Sequence, residues 1–234
     1  IEIFLRGERF FSRSFDETAS KYLEAHLERH GVTIYKNTTV EHIGPDGTLR
    51  LEGGFENTYD AIGVGIGLNA NFSWLDGSDV RMGSGVYCDS ALRTGIRNIW
   101  TAGDCAEYFD ERLQSHLHIG NWMNAQMQGR HVAKNILGEP QSFDLVSSYA
   151  TDVLEMDLIS VGDVTRSRAE QILERDHEEG LTQLFLKDGA LRGAILINAN
   201  ADRAGATALI KSQKDLSHKT QELTNPDTPL NDFL

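Results

Sequence analysis

The stretch Asn98-Ile99-Trp100-Thr101-Ala102-Gly103-Asp104 constrains this chain most, because a short apolar strand runs directly into a Gly-Asp turn. Glycine accepts the backbone conformations that a sharp turn requires. A carboxylate directly after it stands at the C-terminal end of a strand, the edge where open α/β sheets bind their ligands. Alone, a Gly-Asp after a strand is most often a plain turn, so its weight rests on its surroundings.

Those surroundings alternate between strand and helix. Ile1, Ile3 and Leu5 alternate with Glu2, Phe4 and Arg6, the period of a strand. Ser14, three residues before Glu17, reads as a capping box. Ala19, Tyr22, Leu23, His26 and Leu27 share one face of the helix it opens, and Gly31 ends it. Strands are predicted at 32–35 and 39–43, the second joined through Gly44-Pro45-Asp46-Gly47 to 49–52 as a hairpin. Residues 59–66 form a continuous apolar run of the length of a buried strand. Two more strands are predicted at 85–88 and 98–101. A long helix follows over 120–137, with Gly138 at its C-terminal stop and Pro140 beyond.

After Pro140 the texture changes. Short strands are predicted at 154–162, 181–187 and 191–197, the last two joined at Asp188-Gly189 as a hairpin. Helices are predicted at 167–175 and 203–211. From about residue 216 the chain is polar with two prolines and reads as a tail.

A chain of 234 residues, 40% hydrophobic and 24% charged, can bury a core without staples. No apolar run approaches the roughly 18 residues that span a bilayer. The net charge of −13, with no basic stripe, argues against nucleic acid and against an anionic membrane surface. It serves solubility, or the docking of a basic partner. Cys88 and Cys105 form no CxxC and fit free thiols in a reducing, cytoplasmic setting. The opening at Ile1, inside an apolar run and without a charged n-region, reads as a chain entered in mid-strand and not as a signal peptide.

Three motifs, in order, carry a resemblance. Thr101-Ala102-Gly103-Asp104 resembles the second FAD motif of the FAD-dependent pyridine nucleotide(-disulfide) oxidoreductases. Upstream, Tyr59-Asp60-Ala61-Ile62-Gly63-Val64-Gly65-Ile66-Gly67 and then Leu68-Asn69-Ala70-Asn71 are similar to that family's crossover from the NAD(P) domain to the FAD domain, with Ala70 where proline is usual. Downstream, Trp122-Met123-Asn124-Ala125-Gln126-Met127-Gln128-Gly129 resembles the helix under the flavin in ferredoxin- and rubredoxin-reductase-like members. The resemblance covers residues 1 to 215.

The resemblance implies an α/β fold. Residues 1–67 would be the remainder of an NAD(P)-binding domain and 68–141 the returning FAD segment, both partial Rossmann-like modules. Residues 142–217 would form a small α+β C-terminal domain, with 218–234 as a tail. It also implies FAD as cofactor and NADP or NAD as the nicotinamide nucleotide. Asp104, with Gly103, would hold a ribityl hydroxyl of FAD, and Gly67 and Asn71 would lie at the crossover. The helix N-terminus at Asn121 and Trp122 would face the flavin, its amides worth roughly half a positive charge. Trp122 would lie beside the isoalloxazine, or else be an ordinary core tryptophan. Arg6, Arg9 and Arg13 stand where a NAD-preferring unit often has an acid. Guanidinium forks suit a 2′-phosphate, which favours NADP over NAD, against a solvated basic patch.

No G-x-G-x-x-G fingerprint occurs in the sequence. A longer protein, or a second chain supplying the missing portion, is therefore expected. The implied function is an electron-transfer flavoenzyme passing hydride from nicotinamide to flavin, and electrons on to a ferredoxin- or rubredoxin-like protein or a small molecule. Alternatives are a thiol-dependent member, such as a coenzyme A disulfide reductase or NADH oxidase, and a non-enzymatic flavoprotein interaction module. A homodimer through the C-terminal domain is also expected. No residue is assigned a catalytic acid-base role. Cys88 and Cys105 are not read as a redox pair, and the loop histidines His116 and His118 lack a third metal ligand. Thr165-Arg166-Ser167-Arg168 and His177 stand where disulfide reductases carry a His-Pro-Thr motif with its glutamate.

Overall fold

A computed structural model describes residues 1–12, 15–67, 70–138 and 140–234. Strand β1 (Glu2–Phe4) pairs in parallel with β2 (Thr33–Tyr35), and helix α1 (Glu17–Arg29) connects them. The carboxylate of Asp16 caps α1 by accepting the Ala19 amide at 2.9 Å. Ser14, the expected cap, lies outside the described residues. The buried face of α1 is Ala19, Ser20, Leu23, Glu24 and Leu27, whereas Tyr22 and His26 are only half-buried.

Strands β3 (Val40–Ile43), β4 (Thr48–Leu51) and β5 (Glu56–Thr58) form an antiparallel meander. Its first turn forms as predicted: Asp46 accepts the Thr48 amide at 3.1 Å, and Gly47 sits at φ +82. The expected buried strand at 59–66 is not observed. None of the described strands pairs with it, and Val64 and Ile66 are exposed, Ile66 at 89%. A parallel strand is stable only with ladder partners for its amides and carbonyls, and this run stays extended without them.

Strand β6 (Val86–Cys88) lies parallel to β7 (Ala106–Asp110), which pairs antiparallel with β8 (Ser115–His118). His116 and His118 therefore sit on a strand, not a loop. Residues 98–101 do not form the expected strand. They fold locally onto 92–94, with the Thr94 amide donating to Ile99 at 3.0 Å and the Thr101 amide to Leu92 at 3.1 Å. Helix α2 (Trp122–Leu137) follows as predicted, but Gly138 ends it in extended backbone (φ −144), not in the left-handed stop.

Strands β9 (Ser148–Val153), β10 (Met156–Gly162), β11 (Gln171–His177), β12 (Gly180–Lys187) and β13 (Ala190–Ile197) build an antiparallel sheet in the order β11-β12-β13-β10-β9. The expected helix at 167–175 is overturned. Its second half is strand β11, paired with β12 along its whole length. Helix α3 (Asp202–Ser212) packs on one face of this sheet, and the short α4 (Thr220–Leu223) follows.

Residues after 216 are not a loose tail. Leu223, Leu230 and Phe233 are buried with Ala206, Leu209 and Ile210 against Leu184 and Leu196. Each such side chain contributes about 1.5–3 kcal/mol on burial. The opposite face of the sheet, through Met156, Phe185, Ile195 and Ile197, receives Ala19, Leu23 and Leu27 of α1. The sheet is thus a shared middle layer between an N-terminal helix and a C-terminal one. No helix among the described residues is long and apolar enough to cross a membrane.

Candidate functional site

The Gly-Asp turn is seated on α2. Gly103 is buried at φ +79, and a Cβ there would come 3.3 Å from the Ala125 side chain. Both facts demand glycine, one through backbone conformation and one through close helix approach. The Gly103 amide donates to Gln128 Oε1 at 2.7 Å. His118 Nε2 donates to the Asp104 carbonyl at 2.7 Å, so both sides of the turn are held.

Asp104 itself is exposed, and its carboxylate has no ion-pair partner among the described residues. A Cβ on Gly120 would lie 3.9 Å from that carboxylate, which places Asp104 beside the loop that opens α2. Asn121 caps the helix by accepting the Asn124 amide at 2.8 Å, while its Nδ2 donates to Ser147 Oγ at 3.1 Å. The first turn of α2 itself carries no acid, and Asp104 is the carboxylate beside its positive end. Trp122 is 94% exposed in this chain.

The structure thus brings Gly103, Asp104, Asn121 and Trp122 together. It does not gather the others. Gly67 is exposed at φ +94 with open space around it, and exposed Asn71 accepts the Ser73 amide at 2.9 Å. Arg6 is exposed just past β1. Arg13 and the crossover residues Leu68 and Asn69 lie outside the described residues. Neighbouring Arg9 is ion-paired with Glu8.

Gln128 and His118 are the residues that sequence reasoning missed. A signal was present: Asn124, Gln128 and Asn135 are buried at helical spacing on α2, a polar stripe where an apolar one is the rule. Gln128 holds Gly103, Asn124 donates to Ile119 at 3.1 Å, and Asn135 donates to Ala91 at 3.0 Å. Cys88 is buried, and burial pushes its thiol up to about 12; Cys105 is half-buried, and both are free.

Residues 1–129 match the pyridine nucleotide-disulphide oxidoreductase family, and residues 151–214 match the rubredoxin NAD+ reductase C-terminal domain. Among curated proteins, the ferredoxin–NAD(+) reductase component of the p-cumate 2,3-dioxygenase system of Pseudomonas putida is 29% identical over 228 residues, covering 97% of this chain and 55% of its own. The NADH-rubredoxin oxidoreductase of Clostridium acetobutylicum is 23% identical over 222 residues, covering 94% of this chain and 53% of its own. The chain therefore spans about half the length of the curated relatives it matches. Among solved structures, the reductase of the covalent putidaredoxin reductase–putidaredoxin complex superposes at TM-score 0.88 with 19% identity, over 99% of this chain and 56% of its own. With 129 of 234 residues inside one family match and the turn, helix and C-terminal sheet in that order, the chain belongs to the pyridine nucleotide-disulphide oxidoreductase family.

Proposed function

We propose that the protein to which these residues belong is an FAD-dependent NAD(P)H oxidoreductase that hands electrons to a small ferredoxin- or rubredoxin-like protein. The carrying observation is the seating of the Asp104 turn against the uncapped-by-acid N-terminus of α2. An exposed carboxylate supplies a hydrogen-bond acceptor for a hydroxylated chain, and a positive helix end supplies a field for an electron-rich ring. Gly103 and Asp104 would hold the ribityl chain, and Asn121 and Trp122 would flank the ring. When bound, FAD supplies the hydride-accepting and electron-releasing chemistry.

The domain assignment 1–67, 68–141 and 142–217 belongs to the same reading, with Arg6 and Arg13 on the nicotinamide nucleotide and Gly67 and Asn71 at the crossover. NADP is preferred to NAD on the arginines at the end of β1. A cytoplasmic location fits the two free thiols. An acidic electron-transfer partner is supported by charge: residues 113–138 contain no Asp or Glu although the chain carries 35, and the exposed side of α2 offers Trp122, Met123 and Arg130. Self-association through the C-terminal sheet would use its free edges at β9 and β11.

Flavin fluorescence tests the site. FAD titrated into the chain should be quenched by Trp122, and Asp104→Ala should weaken binding about tenfold, the loss of one charge-assisted hydrogen bond. Equal affinity of the parent and Asp104→Ala chains would remove the assignment.

A further inference from the structure

A cavity of about 390 Å³ opens where the β7–β8 hairpin meets the C-terminal sheet, on the far side of Asn121 from α2. Tyr108, Arg112 and Leu117 line it from the hairpin, and Asp163, Arg168 and Arg192 line it from the sheet. Arg192 Nη1 ties the two walls by donating to the Arg112 carbonyl at 3.0 Å and to Gln213 Oε1 at 2.7 Å.

The wall holds an ion-paired guanidinium beside a hydrogen-bond donor that has no acceptor among the described residues. Arg112 Nη2 donates to Asp110 at 2.8 Å and to the Leu145 carbonyl at 2.8 Å. Its Nη1 is ion-paired at 3.2 Å with the exposed Asp144 carboxylate, which a competing acid can displace. Tyr108 is 1% exposed, and its hydroxyl has no partner among the described residues. Burial pushes the phenol well above its usual range, so it stays protonated and able to donate. Buried donors without acceptors lose their hydration uncompensated.

Charge points the same way. Three guanidinium groups, Arg112, Arg168 and Arg192, line the cleft against two carboxylates, Asp110 and Asp163, so the lining is cationic in a chain of net charge −13. Asp144 and Asp188, which pair with the outer nitrogens, are mostly exposed and do not line it. The floor is apolar, with Leu117, Ile119 and Val146. A guanidinium fork beside a neutral phenol matches the two oxygens of a carboxylate. The apolar floor and a volume at the small end of ligand sites match a compact body behind it.

We propose that this cleft binds a small carboxylic acid with an apolar body, its carboxylate between Arg112 and Tyr108 and its body on Leu117, Ile119 and Val146. This cleft borders the Asp104 turn, sharing His118, Gly120 and Asn121 with it, but its proposed carboxylate end at Arg112 and Tyr108 does not rest on the flavin reading. Through Gly120 and Asn121, which also line it, its occupancy bears on the loop that opens α2.

Benzoate tests the proposal, with benzamide as the uncharged isostere, by calorimetric titration of the chain. Benzoate should bind once per chain with a Kd below about 1 mM, and benzamide at least about tenfold more weakly. Tyr108→Phe should weaken benzoate about 2- to 10-fold, and Arg112→Gln more than about tenfold. Tyr108→Phe keeps the ring packed edge-on against Phe143 (centroids 5.5 Å apart), so a loss there is not unfolding. Should circular dichroism show Arg112→Gln to be misfolded, Tyr108→Phe decides alone. No binding at about 10 mM benzoate, equal affinity for benzamide, or unchanged affinity in a folded variant would each overturn it.

Discussion

The amide of Gly103 and the side-chain oxygen of Gln128 meet at 2.7 Å, with both residues buried. This one bond couples the turn that carries Asp104 to the second turn of α2. Gln128→Leu should cost about 1–3 kcal/mol, because the Gly103 amide is left buried without an acceptor. Chemical denaturation measures that loss. The same variant should also weaken FAD, since Asp104 loses its mount. A stable variant with parental FAD affinity would show the bond to be idle.

Arg175 is fully buried and gathers the C-terminal segment by its carbonyls. It donates to Leu223 at 3.2 Å, Pro226 at 3.2 Å and Thr228 at 2.6 Å, with Asp202 at 3.3 Å as its counter-charge. Arg175→Met should destabilise the chain by about 3–5 kcal/mol, because Asp202 then stays buried without its ion pair. The double change Arg175→Met with Asp202→Asn should recover part of the loss. Urea unfolding midpoints of the four chains check this, and additive losses would refute the coupling.

Asp16 gives the chain an acid limb. Burial pushes its carboxyl up, but the Ala19 amide, the Gln183 side chain and Arg166 together outweigh that and hold it below the usual carboxylate range. A group with a depressed folded pKa stabilises above its unfolded value, about 3.9, and loses that contribution as pH falls through the lower folded value. Asp16→Asn keeps the helix cap but not the charge. The parent should therefore be the more stable above about pH 4, with the gap narrowing as pH falls below that. A gap that stays constant in thermal melts from pH 7 to pH 2.5 would sink the idea.

The parts of the fold legible in the sequence were those whose causes are local. The hairpin at Gly44–Gly47 was readable because Asp46 closes its own turn on Thr48. Helix α2 was readable because its length and the glycine and proline just beyond its end agree, although Gly138 closes it in extended backbone. Residues 171–175, the first part of Gln171–His177, were misread as helix because they favour helix locally. The pairing with β12 and the burial of Arg175 under a segment some fifty residues later override that preference, and neither is visible in a short window. The packing of 216–234 was missed for a related reason. Leu223, Leu230 and Phe233 are scattered through a largely polar segment and follow no period, yet each fills the core. At the candidate site, the motif singled out the turn that carries Asp104, whereas Gln128 was hidden because a buried glutamine on a helix looks like a surface one until its partner is placed.

The five-stranded sheet carries α1 on one face and α3 on the other, and α1 comes from the part of the chain read as nucleotide-binding. That arrangement works as a weld and not as a hinge. Swinging α1 outward would strip Leu23 and Leu27 from Phe185 and Ile197 and wet all four, a loss of several kcal/mol at about 25 cal/mol per Å². A chain built this way keeps its first helix at one fixed place on the C-terminal sheet, and any movement is left to its edges.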